Sequence, residues 1–355
     1  MKTQLLCVTC ALLSVTVMAC REPAPPEDTG SGQDATTQDR QTPVPDAQGG
    51  QDVNNPPADG GTGMDAGGAT SVTLRQLQDI TDMAHPAGNA RVNLEDTDLV
   101  ALTPRLLIGS SSASSCRFAV WVGKATGGDF AGIQVQEVVD RGAAMNCFDM
   151  SLVRKIPADI AVGTRITSVV NANFGEFCAG PSGGNPGMCR NYEQSQLFLG
   201  AATAAINTMG MGTVPTPSDV TVPVIGQTSG GMLGTRTLAL EGTLVRVRNV
   251  RVTATMSSND GGAAFTTVSV ADPMDATRTL EVQISNFTRT TCTRNYFNSI
   301  NGMNTSITGI LVPDFGVWKI RLRNENDVEG LNCNTDGGTM TDAAADATAD
   351  VANNG

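Results

Sequence analysis

The chain has 355 residues, a formal net charge of −12, 4% aromatic residues, nine cysteines and one histidine. That histidine, His85, precedes a proline and reads as an exposed loop residue. It is poorly placed for a Ser-His-Asp triad, a Cys-His pair, a histidine-based zinc site or a histidine nuclease, each of which needs an imidazole beside partner groups.

From the N-terminus, Lys2 and the apolar run Leu5 to Val17 have the form of a secretory signal over residues 1–19. The run is too short for a spanning helix, which needs about 20 apolar residues. Its end, Val17-Met18-Ala19-Cys20, resembles the bacterial lipobox. The resemblance implies cleavage before Cys20, a diacylglycerol on its sulfur and an acylated amino group. Each acyl chain contributes about 0.8 kcal/mol per buried CH₂, so two or three chains anchor durably where one does not. Arg21 stands where an inner-membrane retention signal would place Asp. The expected location is therefore the bacterial cell envelope, at the outer membrane or cell surface, with the membrane as partner through the lipid.

Residues 20–70 are rich in Pro, Gly and Asp, with nine acids against two bases over 21–70 and no aromatic residue. Such a segment cannot bury enough apolar surface to offset the entropy of ordering, so a disordered tether is expected, reaching roughly 40 Å as a flexible coil. Residues 334–355 hold four acids and no base, a second disordered acidic stretch. Allowing for Lys2, only −2 of the net charge then falls on residues 71–333. The acidity says little about the partners of the folded part.

Within 71–333, apolar and polar residues alternate over short runs separated by Gly, Asn and Pro: FAVWVGKA, GIQVQEVV, TLVRVRNVRV, FTTVSV, LEVQIS, SITGILV and WKIRLRN. This is the period-two signature of half-buried strands, and the fold class is all-β. Only residues 74–83 and 201–209 suggest helix. ITSVVNANFGEF (166–177) aligns without gaps on ITGILVPDFGVW (307–318) at an offset of 141, and VNLEDTDLVAL (92–102) resembles LALEGTLVRV (238–247) at an offset of 146. Two tandem modules follow, 71–225 and 226–333, each of about five strands ending in a Phe-Gly hairpin, an order that suits a small OB-like barrel. The strings LEGTLVRVRNVRVTA, FTTVSVAD and SITGILVPDFGVWKIRLRNENDV resemble the OB-like barrel modules of bacterial surface lipoproteins, which are similar to modules appended to secreted bacterial endonucleases and phosphoesterases. The resemblance covers most of the second module and more loosely the first. A binding module without the catalytic domain of those enzymes is expected, because tether, two barrels and acidic tail use up the chain.

Setting aside Cys7, Cys10 and Cys20 leaves six cysteines, an even number in an exported chain and hence a disulfide framework. Of fifteen connectivities, pairing within modules gives Cys116–Cys147, Cys178–Cys189 around the loop AGPSGGNPGM, and Cys292–Cys333. No Cys-x-x-Cys lies beyond Cys20, no Asp-x-Asp-x-Asp-Gly calcium loop is present, and no cofactor or metal is expected. The carboxylate pairs Glu137/Asp140 and Glu325/Asp327 lack the aromatic surroundings of a sugar-cleaving site. GGNPG and SGGMLG read as turns.

The candidate ligand-binding residues come from strand parity. Lys319, Arg321 and Arg323 share a face opposite Trp318, Ile320 and Leu322, and Arg246 and Arg248 lie opposite Val245 and Val247. The apolar parity then shifts to Val250 and Val252, predicting a bulge near Asn249. If the strands are neighbours, five cations form one patch outside the barrel, suited to an acidic polysaccharide, lipopolysaccharide or extracellular DNA. The competing expectation is an ordinary solvated face, kept charged against edge-to-edge pairing and leaving contacts with a surface protein. Trp318 falls on core parity, whereas Trp121 shares a face with Arg117 and Ala119 and is the candidate exposed aromatic. The functional expectation is a non-catalytic surface binding or adhesion protein. The alternative is an accessory subunit presenting nucleic acid or glycan to a separate secreted hydrolase.

Overall fold

The computed structural model describes residues 68–112, 115–140, 147, 152–178, 193–229, 231–260, 263–284, 290–314 and 316–333. The predicted signal, Cys20, the tether to residue 67, the acidic C-terminal stretch and Cys189 lie outside them, while Thr70, expected in the tether, begins a strand. Cys178 is described in its backbone alone.

In the first half the elements are β1 (Thr70–Val72), α1 (Leu74–Gln78), β2 (Arg91–Leu94), β3 (Leu99–Ala101), β4 (Leu106–Ser112), β5 (Ser115–Lys124), β6 (Gly132–Asp140), β7 (Thr164–Cys178), β8 (Glu193–Phe198) and β9 (Ala205–Met211). The second half has β10 (Ser218–Val220), α2 (Val222–Ile225), β11 (Gln227–Thr228), β12 (Leu244–Asp260), β13 (Ala263–Ala271), β14 (Arg278–Ile284), α3 (Thr290–Ser299), β15 (Asn304–Asp314) and β16 (Val317–Arg321).

Strand order defines the fold. In the second half the sheet runs β12-β13-β14-β16-β15 and closes through β15–β12, with β14–β16 parallel and the other contacts of the ring antiparallel. Numbering the five strands in chain order gives 1-2-3-5-4-1 with a helix, α3, between the third and fourth. That is a Greek-key barrel of OB type. The first half repeats it: β3 and β4 pair with β5, then β6, β8 and β7 follow, and β7 returns to β2 and β3. Its first strand is broken into β2, β3 and β4 by residues 95–98 and by Leu102–Arg105, where Pro104 cannot donate to a ladder. A short leading strand runs parallel to each first strand, β1 on β2 and β10 on β12.

Each barrel closes on its own core. The first centres on Val92, Leu99, Phe118, Val120, Ile133 and Phe174. The second centres on Val245, Val247, Val268, Val282, Leu311 and Trp318, and it also takes in Val220, Val222 and Ile225, so residues 218–225 pack with the second barrel rather than the first. Disulfides Cys116–Cys147 and Cys292–Cys333 join residues within each barrel.

The bulge expected near Asn249 is present: the β12–β15 register shifts between Val247 and Val250, and Asn249 has φ of 54°. Other expectations are corrected. Residues 205–211 form strand β9, not helix, because the ladder to β7 outweighs an alanine-rich local preference. Phe174-Gly175 is not a hairpin. Strand β7 runs through it to Cys178, whereas the second barrel turns at Gly316, with φ of 79°. Glycine at 175 instead makes room for Phe198, whose ring lies 2.9 Å from where a Cβ would sit. The first strands do not correspond at an offset of 146. Leu94 faces Val169 as Leu244 faces Ile310, and Leu99 faces Ile166 as Val247 faces Ile307, so two extra residues lie between Leu94 and Leu99.

A third apolar cluster joins the barrels: Val100, Leu102, Leu106, Ala119 and Trp121 from the first meet Leu244, Ile310 and Val312 from the second. The backbones approach so closely that a Cβ on Gly132 would stand 2.2 Å from the carbonyl oxygen of Gly242. Across the junction Phe130 N donates to Ala239 O at 2.6 Å, Ser195 N to the Glu241 carboxylate at 2.9 Å, and Gln78 Nε2 to Glu241 O at 2.8 Å.

Candidate functional site

The five cations lie on the outer face of the second barrel, as parity requires. That face is also the one turned toward the first barrel, because Leu244, Ile310 and Val312 share it. The expected open patch is therefore corrected. Lys319 is buried, with Nζ 3.1 Å from Asp314 and 3.4 Å from Glu281, the latter its cross-strand neighbour on β14. Arg321 is partly buried. Its guanidinium lies 4.9 Å from the Trp121 ring centroid and its Nε donates to Gln283 Oε1 at 2.8 Å. Burial pushes the Arg321 guanidinium below its ordinary pKa, yet it stays charged. Trp121, the candidate exposed aromatic, is 1% exposed.

The other three cations are divided by their partners. Arg248 is exposed and donates twice to Asp219, at 2.9 Å each, which holds the Asp219 carboxyl below the usual range. Arg323, its side chain 11% exposed, is clamped by Asp327 through Nε and Nη2, while its Nη1 is buried with no hydrogen-bond partner. Arg246 is half-buried. Its Nε donates to Thr308 Oγ1 at 3.4 Å, and no carboxylate of the described residues comes within ion-pair distance of it.

Arg246 and Arg323 line one cleft of about 390 Å³ beside the junction. One wall is aliphatic, from Val214, Pro215 and Pro217 of the segment between the barrels, and Leu244 stands on the opposite side, beside Arg246 on β12. The other carries the two arginines, Thr308, Asn324, Asn326 and Asp327. The Val-Pro-Thr-Pro string at 214–217 was the available sequence signal for the first wall, since two prolines hold a connector extended.

The carboxylate pairs have structural roles. Glu137 points into the first barrel, opposite Phe118, and accepts from Lys155 N at 2.6 Å and Ile156 N at 3.1 Å, tying residues 155–156 to the barrel end. Burial pushes its carboxyl up, against those donors and the nearby Arg105 and Arg154. Asp140, three positions along the same strand, falls on the opposite face. Asp327 is committed to Arg323. His85 is not an exposed loop residue. Its side chain is 16% exposed, Nδ1 donates to Gln76 O at 2.9 Å, Nε2 lies 3.1 Å from Glu176 Oε1, and the ring meets Phe174 edge-on at 5.3 Å.

No family model and no curated protein matches the chain. Among solved structures it is similar to the Ifi202 HINa domain in complex with 20-bp dsDNA (9% identity over 66% of this chain and 92% of that one, TM-score 0.27). It is also similar to a replication protein A heterotrimer bound to ssDNA (8%, 68% and 49%, TM-score 0.27) and to a deletion mutant of the single-stranded DNA binding protein from Thermus aquaticus (12%, 65% and 90%, TM-score 0.19). At these TM-scores the likeness carries no argument, and the barrel assignment rests on strand order.

Proposed function

We propose that the chain is a non-catalytic, lipid-anchored binding or adhesion protein of the bacterial cell envelope that recognises an anionic polymer at the barrel junction. The observation that carries this reading is the cleft in which Arg246, without a carboxylate partner, stands beside Arg323. OB-type barrels serve as carriers of oligonucleotide and oligosaccharide sites, and the connector laid against the second barrel supplies a concave surface. The string Val17-Met18-Ala19-Cys20 supports the anchor, and the long acidic segment after it supports a spacer between membrane and barrels.

Retention of the full chain, purified in mild detergent, on immobilised acidic and neutral polymers tests the binding role. Acidic matrices are expected to retain it and to release it as salt rises, while neutral ones do not. Equal passage through both at low salt overturns the reading. For the anchor, a labelled fatty acid is expected to enter the protein in cells and to be lost with Cys20→Ser. Label that persists in that variant rules the anchor out.

A further inference from the structure

We infer, resting on the binding role proposed above, that the junction cleft takes a carboxylate-bearing saccharide, a uronic-acid unit of an acidic polysaccharide, in preference to a nucleic acid. The charge count within the cleft points to a monoanionic group. Asp327 neutralises Arg323, and Asp219, the cross-strand neighbour of Arg246, is engaged by Arg248, which leaves Arg246 as the cation of the lining without an ion-pair partner among the described residues. Its Nε is held by Thr308, and its two terminal nitrogens form the planar fork that matches a carboxylate with two parallel bonds. Asn324 accepts from Asn326 N through its side-chain oxygen at 2.9 Å, so its amide NH₂ remains to meet a hydroxyl, and the Asn326 amide is exposed.

The facing wall decides between polymer classes. Val214 and Pro217, half-buried around the buried Pro215, offer C–H surface, suited to the apolar face of a sugar ring, and no π face. Nucleobases bind through aromatic platforms beside a basic groove. Here Trp121 is spent inside the junction and Trp318 in the second core. At about 390 Å³ the cleft falls within the small-ligand range of about 300–1,000 Å³, so it grips a chain end or a short stretch rather than an extended polymer.

Calorimetric titration of the full chain in mild detergent with tetragalacturonate, maltotetraose and an oligo(dT) probe tests this. Tetragalacturonate is expected to bind, with maltotetraose and oligo(dT) weaker by about tenfold or more. Arg246→Ala, which removes the fork, and Asn326→Asp, which adds a repelling charge at an exposed position, are each expected to weaken tetragalacturonate by about tenfold or more. Unchanged denaturation midpoints show that both variants fold. Tetragalacturonate binding that neither variant alters overturns the cleft assignment while leaving anionic-polymer binding standing. Tighter binding of oligo(dT) overturns the saccharide class. Failure of both polyanions to bind at low salt removes the binding role itself.

Discussion

Replacing Trp121 by leucine and Arg321 by methionine, singly and together, measures how the two barrels are held. Arg321 spans the junction: its guanidinium lies 4.9 Å from the indole centroid and its Nε donates to Gln283 at 2.8 Å. A desolvated cation–π contact contributes about 2 kcal/mol, and a hydrogen bond from a charged donor about 1.5–3 kcal/mol. Against these, burying a guanidinium costs several kcal/mol, which methionine avoids. Arg321→Met alone therefore has a small net effect. Trp121→Leu loses packed area in the junction but also removes an indole N–H that is buried without a partner, so its single effect is mixed too. The double-mutant cycle isolates the ring contact, and a coupling of about 1–2 kcal/mol is expected. Urea unfolding of the four proteins, followed by far-UV circular dichroism, gives the coupling. It should not change with salt, since buried pairs are little screened. A coupling below about 0.5 kcal/mol, the scatter of independent sites, would refute the view that Arg321 acts by locking onto Trp121.

Gly132→Ala places a Cβ 2.2 Å from the Gly242 carbonyl oxygen and should lower stability by about 1–3 kcal/mol through overpacking. Gly200→Ala, with nothing within 4 Å, should leave the thermal midpoint unchanged, and equal midpoints for the two would contradict the close approach. Cys292→Ser with Cys333→Ser opens a cross-link between residues 41 apart and should cost about 3–4 kcal/mol on loop-entropy grounds, read as a drop in denaturant midpoint. For Glu137, burial raises the folded-state pKa above the unfolded value, so the folded protein holds that proton more tightly and loses stability as pH rises across the interval. Wild-type stability relative to Glu137→Gln should therefore fall as pH rises above about 4, the unfolded value. A rise would mean that Arg105, Arg154 and the two backbone donors outweigh burial.

Much of the fold is legible in the sequence because alternation is a local property. Val245, Val247, Ile320 and Leu322 sit in the second core as their parity requires, and the parity break at Asn249 is the bulge. Parity fixes which face a side chain takes but not what covers that face. Arg321 and Trp121 point outward from their own barrels, and each is covered by the other barrel, a contact between residues 200 positions apart that no window along the chain reveals. Lys319 looks like a solvated cation until β14 brings Glu281 beside it. Helix α3 (TTCTRNYFNS) carries only a short apolar stripe, Phe297 in the second core with Tyr296 and Ile300 packed against it. Its place between the third and fourth strands and the Cys292–Cys333 bond account for it better than local propensity does. Of the five candidate cations, the sequence places all on the correct face, but only three-dimensional pairing separates Arg246 from those already neutralised or buried.

Binding at the cleft depends on Arg246 standing apart from the other four cations. Retention on a carboxylated polysaccharide surface is measured for the full chain, for Arg246→Ala, and for Asp219→Ala with Arg248→Ala, which removes an exposed ion pair without changing net charge. Arg246→Ala should elute at clearly lower salt, and the paired removal should elute with the unaltered protein. Equal losses in both would contradict the cleft and return the function to a diffuse basic face.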